Sequence, residues 1–229
     1  MKNKKGSHVG MILSFTMFIV FLIFAYVIVV SPIDSKKQNE DVFETIKIEI
    51  IKEISGLVYT SRINNTDNIG GCIEILNPDY DFSERVVIVK NKSGEIASEI
   101  VGNTILIPGG LGFVKAYYSD NFFENTGSFS GADCVSVEVD SISSEKRILE
   151  KKIISFIEEM EANYSIVKNN FGIPSNVDFH VQFEYADGTN ITSGEFKELK
   201  TEIFAKQVSI NYLDKYANEK IGSLIIKIW

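Results

Sequence analysis

Val9 to Val30 reads VGMILSFTMFIVFLIFAYVIVV, 22 residues without a formal charge, of which 15 are Val, Ile, Leu or Phe. Each of those four residue types favours insertion into hydrocarbon by roughly 0.3–0.6 kcal/mol at a helix centre, which outweighs Gly10, Ser14 and Thr16. As a helix the stretch is roughly 33 Å long, against a bilayer core of about 30 Å. The sequence therefore predicts a transmembrane helix over residues 9–31, preceded by a short cytoplasmic segment over residues 1–8. A cleaved secretory signal would carry a shorter apolar core and a small-x-small site. Here Val29-Val30-Ser31 runs directly into Pro32, so the helix is expected to be retained.

Orientation follows from the cations. Lys2, Lys4 and Lys5 precede the apolar stretch, whereas Lys36 and Lys37 after it are diluted by Asp34, Glu40 and Asp41. Positive charge stays on the cytoplasmic side. The expected location is the cell membrane, single-pass, with the N-terminus cytoplasmic, the C-terminal domain extracytoplasmic and residues 9–30 in contact with the lipid bilayer. From Ser31 onward the chain has 20 basic against 31 acidic side chains, a net charge of −11. That excess repels phosphate backbones, so nucleic acid is not an expected partner.

Residues 32–56 read as a polar linker followed by an amphipathic helix. Phe43, Ile46, Ile50, Ile54 and Leu57 recur at helical spacing, with Gly56 as its stop. Residues 57–143 change to short strand-like runs: Leu57–Ile63, Cys72–Leu76, Val86–Lys90, Ile100–Ile107, Gly112–Tyr118 and Cys134–Val139. Asn-, Gly-, Pro- and Asp-rich turns separate them. A β-sandwich-like or curved antiparallel sheet is the expectation. Residues 144–229 read as a helix plus antiparallel strands packed on the same core. The helix runs from Ser144 to Phe171, with a stripe through Leu149, Ile153, Phe156, Met160, Tyr164, Val167 and Phe171. Ser143 or Ser144 is expected to cap its start, and Gly172 and Pro174 to stop it. Strands follow at about Val177–Tyr185, Glu202–Leu213 and Ile221–Trp229. The expected fold class is thus α+β: an N-terminal transmembrane helix followed by a β-rich antiparallel extracytoplasmic domain with one long amphipathic helix.

Little in the chain carries chemistry. It has two histidines, and His8 precedes the apolar stretch. One remaining imidazole cannot build a histidine metal site, so no metal, cofactor-binding or catalytic residue is assigned. His180 shares a strand face with Glu184, two steps apart, and reads as a solvated surface histidine. Asp79, Asp81 and Glu84 match no calcium loop and read as a solvated turn. Pro108-Gly109-Gly110-Leu111-Gly112 lacks the Lys and Ser/Thr of a phosphate cradle and reads as a hairpin turn. Cys72 and Cys134 are candidates for one disulfide or for two buried thiols, and their spacing demands neither. Asn64, Asn91, Asn163 and Asn190 head Asn-x-Ser/Thr sequons, candidate glycosylation sites on an outward-facing domain.

Lys4-Lys5-Gly6 ahead of a long Ile/Phe/Val helix resembles the class III signal of archaeal type IV pilin-like proteins. The resemblance covers about 25 residues and the overall plan. It implies cleavage between Gly6 and Ser7 by a membrane peptidase, an apolar helix that packs subunits together, and a β-rich head outside. The expected function is a membrane-anchored extracytoplasmic structural or binding protein, pilin-like and without evident catalysis, associating with itself or with other surface proteins. The alternative is a tethered carboxylate-based enzyme or small-ligand-binding domain.

Overall fold

The computed structural model describes residues 6–65, 71–76, 86–123, 129, 131, 133–139, 142–194 and 203–229, with side chains at 6–9, 27–38, 64–65 and 138 excepted. The chain divides into two compact units, residues 1–46 and 47–229.

The first element, α1, runs unbroken from Gly6 to Glu53 over 48 residues. Two expectations are corrected by it. Pro32 and the polar run after it do not end a helix. Lys36, Lys37 and Glu40 are themselves good helix formers, and one missing backbone donor does not outweigh them. No helix among the described residues is long and apolar enough to cross a membrane. The transmembrane helix expected over residues 9–31 is thus not borne out. Phe43, Ile46, Ile50 and Ile54 are buried, whereas Leu57 is 52 % exposed. Leu57 belongs to the next strand, because α1 ends at Glu53 rather than at Gly56. Gly56 serves a different need: a Cβ there would stand 2.8 Å from Leu149 Cδ1 and 3.1 Å from Asn121 Nδ2.

Residues 47–229 carry two sheets. The strands in chain order are β1 (Ser55–Asn65), β2 (Cys72–Leu76), β3 (Val86–Asn91), β4 (Gly94–Ile96), β5 (Glu99–Val101), β6 (Thr104–Pro108), β7 (Gly112–Ser119), β8 (Val135–Glu138) and β9 (Ile142–Leu149). After α2 (Glu150–Asn170) come β10 (Phe179–Glu184), β11 (Asn190–Thr192), β12 (Phe204–Leu213) and β13 (Glu219–Ile228). The nine-stranded sheet has the order β11-β10-β13-β12-β9-β1-β7-β3-β4, and the four-stranded sheet β5-β6-β2-β8. Both are mixed rather than purely antiparallel, since β2 and β8 pair parallel, as do β9 and β12. The run Ile100–Ile107 is two strands, because Gly102, at φ 61°, turns the chain back on itself. The Pro108–Gly112 segment is a crossing from one sheet to the other, with Gly109 N donating to Gly71 O at 2.9 Å.

The two sheets close over one apolar layer. Ile73 and Ile75 of β2 and Ile105 and Ile107 of β6 meet Ile63, Val87, Val89, Val114, Ala116 and Tyr118 from the large sheet. Alternation then sets the opposite face of β1, β7 and β3, which carries Arg62, Lys115, Tyr117 and Lys90. Part of that face is apolar too: Val58 and Ile88 join Phe122, Leu149, Leu213 and Ala217 in a second cluster.

The α2 helix starts at Glu150, six residues after the expected Ser144. Its N-cap Leu149 is extended and makes no side-chain cap. Residues 142–149 instead pair as β9 with β1 in the register Ser55↔Ile148 to Ser61↔Ile142, so tertiary pairing overrides the helix-favouring Glu145, Lys146 and Arg147. The C-terminal end agrees with its reading. Gly172 has φ 66°, and Ile173 N donates to Lys168 O at 3.1 Å. The C-terminus is held, with Trp229 and Asp178 exchanging two backbone hydrogen bonds of 2.9 and 3.0 Å.

Candidate functional site

A groove of about 940 Å³ opens on the face of the large sheet opposite the sandwich core. Its floor is built by register. Arg62 on β1 stands directly opposite Lys115 on β7, and Lys115 stands directly opposite Lys90 on β3. One step along, Thr60 stands opposite both Tyr117 and Ser143. Residues paired in register share a sheet face, so the three cations form one row and the hydroxyls the next.

The wall comes from the β12–β13 turn. Asp214 organises this turn, its Oδ1 accepting from Tyr216 N at 2.9 Å and Asn218 N at 2.8 Å, and its Oδ2 accepting from Asn218 Nδ2 at 2.9 Å. Lys90 Nζ ties the turn to the floor, donating to Asn218 Oδ1 and, at 3.4 Å, to Ala217 O. Burial lowers the Lys90 ammonium pKa below its ordinary value, opposed by Asp214. Burial raises that of the Tyr117 phenol.

The two ends of the groove differ in charge. At one end Arg147 is neutralised, bonded to Glu219 through Nη2 and lying 3.5 Å from Glu145 Oε1 through Nε. At the other, the ion pairs among the described residues include neither Arg62 nor Lys115. Lys220 on β13 adds a further cation. In a chain segment of net charge −11 the groove thus gathers the opposite sign. Nothing in the sequence signals this, because Arg62, Lys90, Lys115 and Lys220 are 25 residues or more apart and only strand pairing assembles them. Alternation does give the face of Lys115 and Tyr117 within Gly112–Tyr118, but not which neighbours flank them.

A smaller hollow holds Glu150, Asp187 and Asp214 beside Tyr185, Tyr212 and Tyr216. Its carboxylates are engaged by the backbone. Glu150 Oε2 accepts from Lys215 N at 2.7 Å, and Asp187 Oδ1 accepts from Thr189 N at 2.9 Å. These acids hold turns in place.

His180 is 6 % exposed, not a surface histidine. Its strand β10 lies between β11 and β13, and Thr192 Oγ1 and Gly194 O lie 2.7 and 3.2 Å from its Nε2. Burial lowers its pKa below the usual 6.5, with a smaller contribution from Lys227 opposite it. Cys72 and Cys134 are joined in a disulfide, with Cα atoms 4.3 Å apart. Asn163 is exposed at a kink in α2, where φ is −135° and ψ 36°. Asn190 is exposed at the start of β11, and Asn91 Oδ1 accepts from Ser93 N at 2.8 Å. Asn64 lies on β1 opposite Phe113. Gly6 and Ser7 form the start of α1. Asp79, Asp81, Glu84 and Lys2 to Lys5 fall outside the described residues. Among the described residues the structure does not bring the sequons together. It brings together cations that the sequence left scattered.

Comparison with family models, curated proteins and solved structures yields no match.

Proposed function

We propose that the chain is a membrane-anchored extracytoplasmic structural protein, a pilin-like subunit that assembles through the first part of α1. One observation carries this reading. The described large apolar side chains from Met11 to Tyr26 are all exposed, among them Phe15, Phe18, Phe21 and Phe24 at 57–66 %. They occupy every side of the helix. A helix apolar all round requires cover, at about 25 cal/mol per Å² of apolar surface removed from water. Lipid supplies that cover before assembly and neighbouring copies after it; no crossing helix is invoked. The continuous 48-residue α1, leading into a β-rich unit with a disulfide, supports the same plan.

The test is photo-cross-linking of the full chain in its own membranes, with a benzophenone side chain at Phe18 and then at Phe21. A ladder of dimers and larger species, with a mature N-terminus at Ser7, is the expected result. Monomer alone, or a mature chain that keeps Lys2 through Gly6, overturns the pilin reading.

A second reading, a tethered small-ligand-binding domain, is favoured by the basic groove. The two readings are compatible, since the groove lies wholly in residues 47–229.

A further inference from the structure

We propose that the groove is a binding site for a small molecule carrying at least two oxyanion groups, phosphate, sulfate or carboxylate, one held by Arg62 and Lys115 and the other by Lys90 and Lys220. This inference deepens the ligand-binding reading and is independent of assembly through α1.

The first argument is register. Arg62, Lys115 and Lys90 stand directly opposite one another on three adjacent strands. Paired residues have Cα atoms about 4.5–5.5 Å apart, and like charges so placed repel. A protein that holds three in a row spends folding stability on them. A bound anion turns that repulsion into attraction, and each charge-assisted hydrogen bond it accepts is about twice as strong as a neutral one.

The second argument is contrast within the same groove. Arg147 has Glu219 and Glu145 beside it, so the fold supplies carboxylates where it neutralises a cation. Lys115 sits between two cations in register and receives no carboxylate from the β12–β13 turn, which instead sends Asn218 and Ala217 O to Lys90. The hydroxyl of Thr60 lines the adjoining row and offers a donor to oxygens bound over it, whereas that of Ser143 donates to Thr60 O at 3.3 Å.

The third argument is size. Two pairing steps separate Arg62 from Lys90, about 10 Å, further than one tetrahedral anion reaches. The volume of about 940 Å³ suits a small ligand rather than a single ion. The ligand therefore places one anionic group near Arg62 and Lys115 and another near Lys90 and Lys220.

The experiment is calorimetric titration of the full chain in detergent micelles with sulfate, citrate and tripolyphosphate at fixed ionic strength. Tripolyphosphate and citrate are expected to bind at least about tenfold more tightly than sulfate, the increment of one further set of charge-assisted contacts. Lys115→Met should weaken both by about tenfold or more, while Lys92→Met, on an exposed turn outside the groove, changes neither. Lys115→Met should also raise the denaturation midpoint without ligand, which separates lost binding from lost folding. Equal binding of sulfate and tripolyphosphate overturns the two-group claim. Binding unchanged in Lys115→Met overturns the site. No heat from any of the three, with α1 cross-links intact, overturns this inference and leaves the assembly reading standing.

Discussion

Arg62 and Lys115 are direct cross-strand partners between β1 and β7, two cations on one face of a central pair of strands. Like charges in that position cost roughly 0.2–1 kcal/mol relative to neutral partners. Lys115 carries the larger burden, because Lys90 flanks it on the other side. Replacing Lys115 by Met removes both repulsions and keeps the aliphatic stem. The variant is expected to be more stable than the parent by about 0.5 kcal/mol in low salt, with the difference shrinking in high salt. Urea midpoints at two ionic strengths check this.

The disulfide Cys72–Cys134 closes a loop of 62 residues and joins the start of β2 to the residue before β8. These strands pair parallel, a contact the chain between them does not enforce. The chain-entropy model assigns a loop of this length about 4 kcal/mol. The Cys72→Ser, Cys134→Ser double variant should lose most of that in equilibrium unfolding. Amide exchange should quicken at Val135 to Val137 before it quickens in β7.

Gly222 lies on β13 where the chain passes Phe183. A Cβ there would stand 2.5 Å from Phe183 Cζ and 2.9 Å from the backbone oxygen of Glu184. A ring can shift, but a ladder carbonyl cannot easily do so. Gly222→Ala should therefore destabilise by about 1–3 kcal/mol, the cost of overpacking a closed site. The slope of the denaturant curve should stay unchanged, because the extent of burial is the same.

His180 sets a pH dependence. Burial first, and Lys227 second, lower its folded pKa below the unfolded value of 6.5. The unfolded chain then binds the extra proton first. The contribution is complete above pH 6.5, declines as pH falls from 6.5 toward the lower folded value, and levels off below it. Asp178 and Asp187 do not interfere, since hydrogen bonds from Lys168 and Thr189 respectively hold their carboxyls below the ordinary 3.8. Midpoints measured from pH 7.5 to pH 5 should fall in the parent. In His180→Gln that fall should flatten.

Tyr164 links α2 to β10. Its hydroxyl donates to Asp178 Oδ1 at 3.0 Å and accepts from Phe179 N at 2.9 Å. Burial pushes its pKa up to about 12. Lys168 Nζ reaches the same Asp178 oxygen at 2.7 Å. Tyr164→Phe leaves a part-buried backbone donor without its acceptor, which costs about 1–3 kcal/mol. Thermal unfolding of the single variant against Tyr164→Phe, Asp178→Asn measures how much of that belongs to the shared carboxylate.

Local rules explain what could be read in advance. The bounds of β2 and the start of β3 follow from alternating or continuous Ile and Val runs between turns. The stop of α2 follows from Gly172, which alone tolerates the positive φ there. The β12–β13 hairpin follows from two apolar runs around a polar turn. Each of these depends on residues within a few positions of one another. The failures are equally specific. Residues 144–149 have the composition of a helix start and became a strand, because β1 and β12 offered edges on both sides. His180, assigned to a solvated face, proved buried, with Thr192 Oγ1 and Gly194 O lying 2.7 and 3.2 Å from its Nε2.

By itself the sequence determined the composition of this protein's parts: an apolar N-terminal helix, a run of short strands, a second helix with a defined stop, and an acidic surplus. These are properties of spacing and content, which short-range backbone preference and side-chain periodicity convert directly into local structure. Only the tertiary structure decided that the helix continues through Pro32 to Glu53, that the strands divide into two mixed sheets, and that Arg62, Lys115 and Lys90 form one row. Outside the hairpins, strand order and register are long-range choices, fixed by which apolar faces bury together, and no short window of the sequence contains both Arg62 and Lys115 or both Lys115 and Lys90.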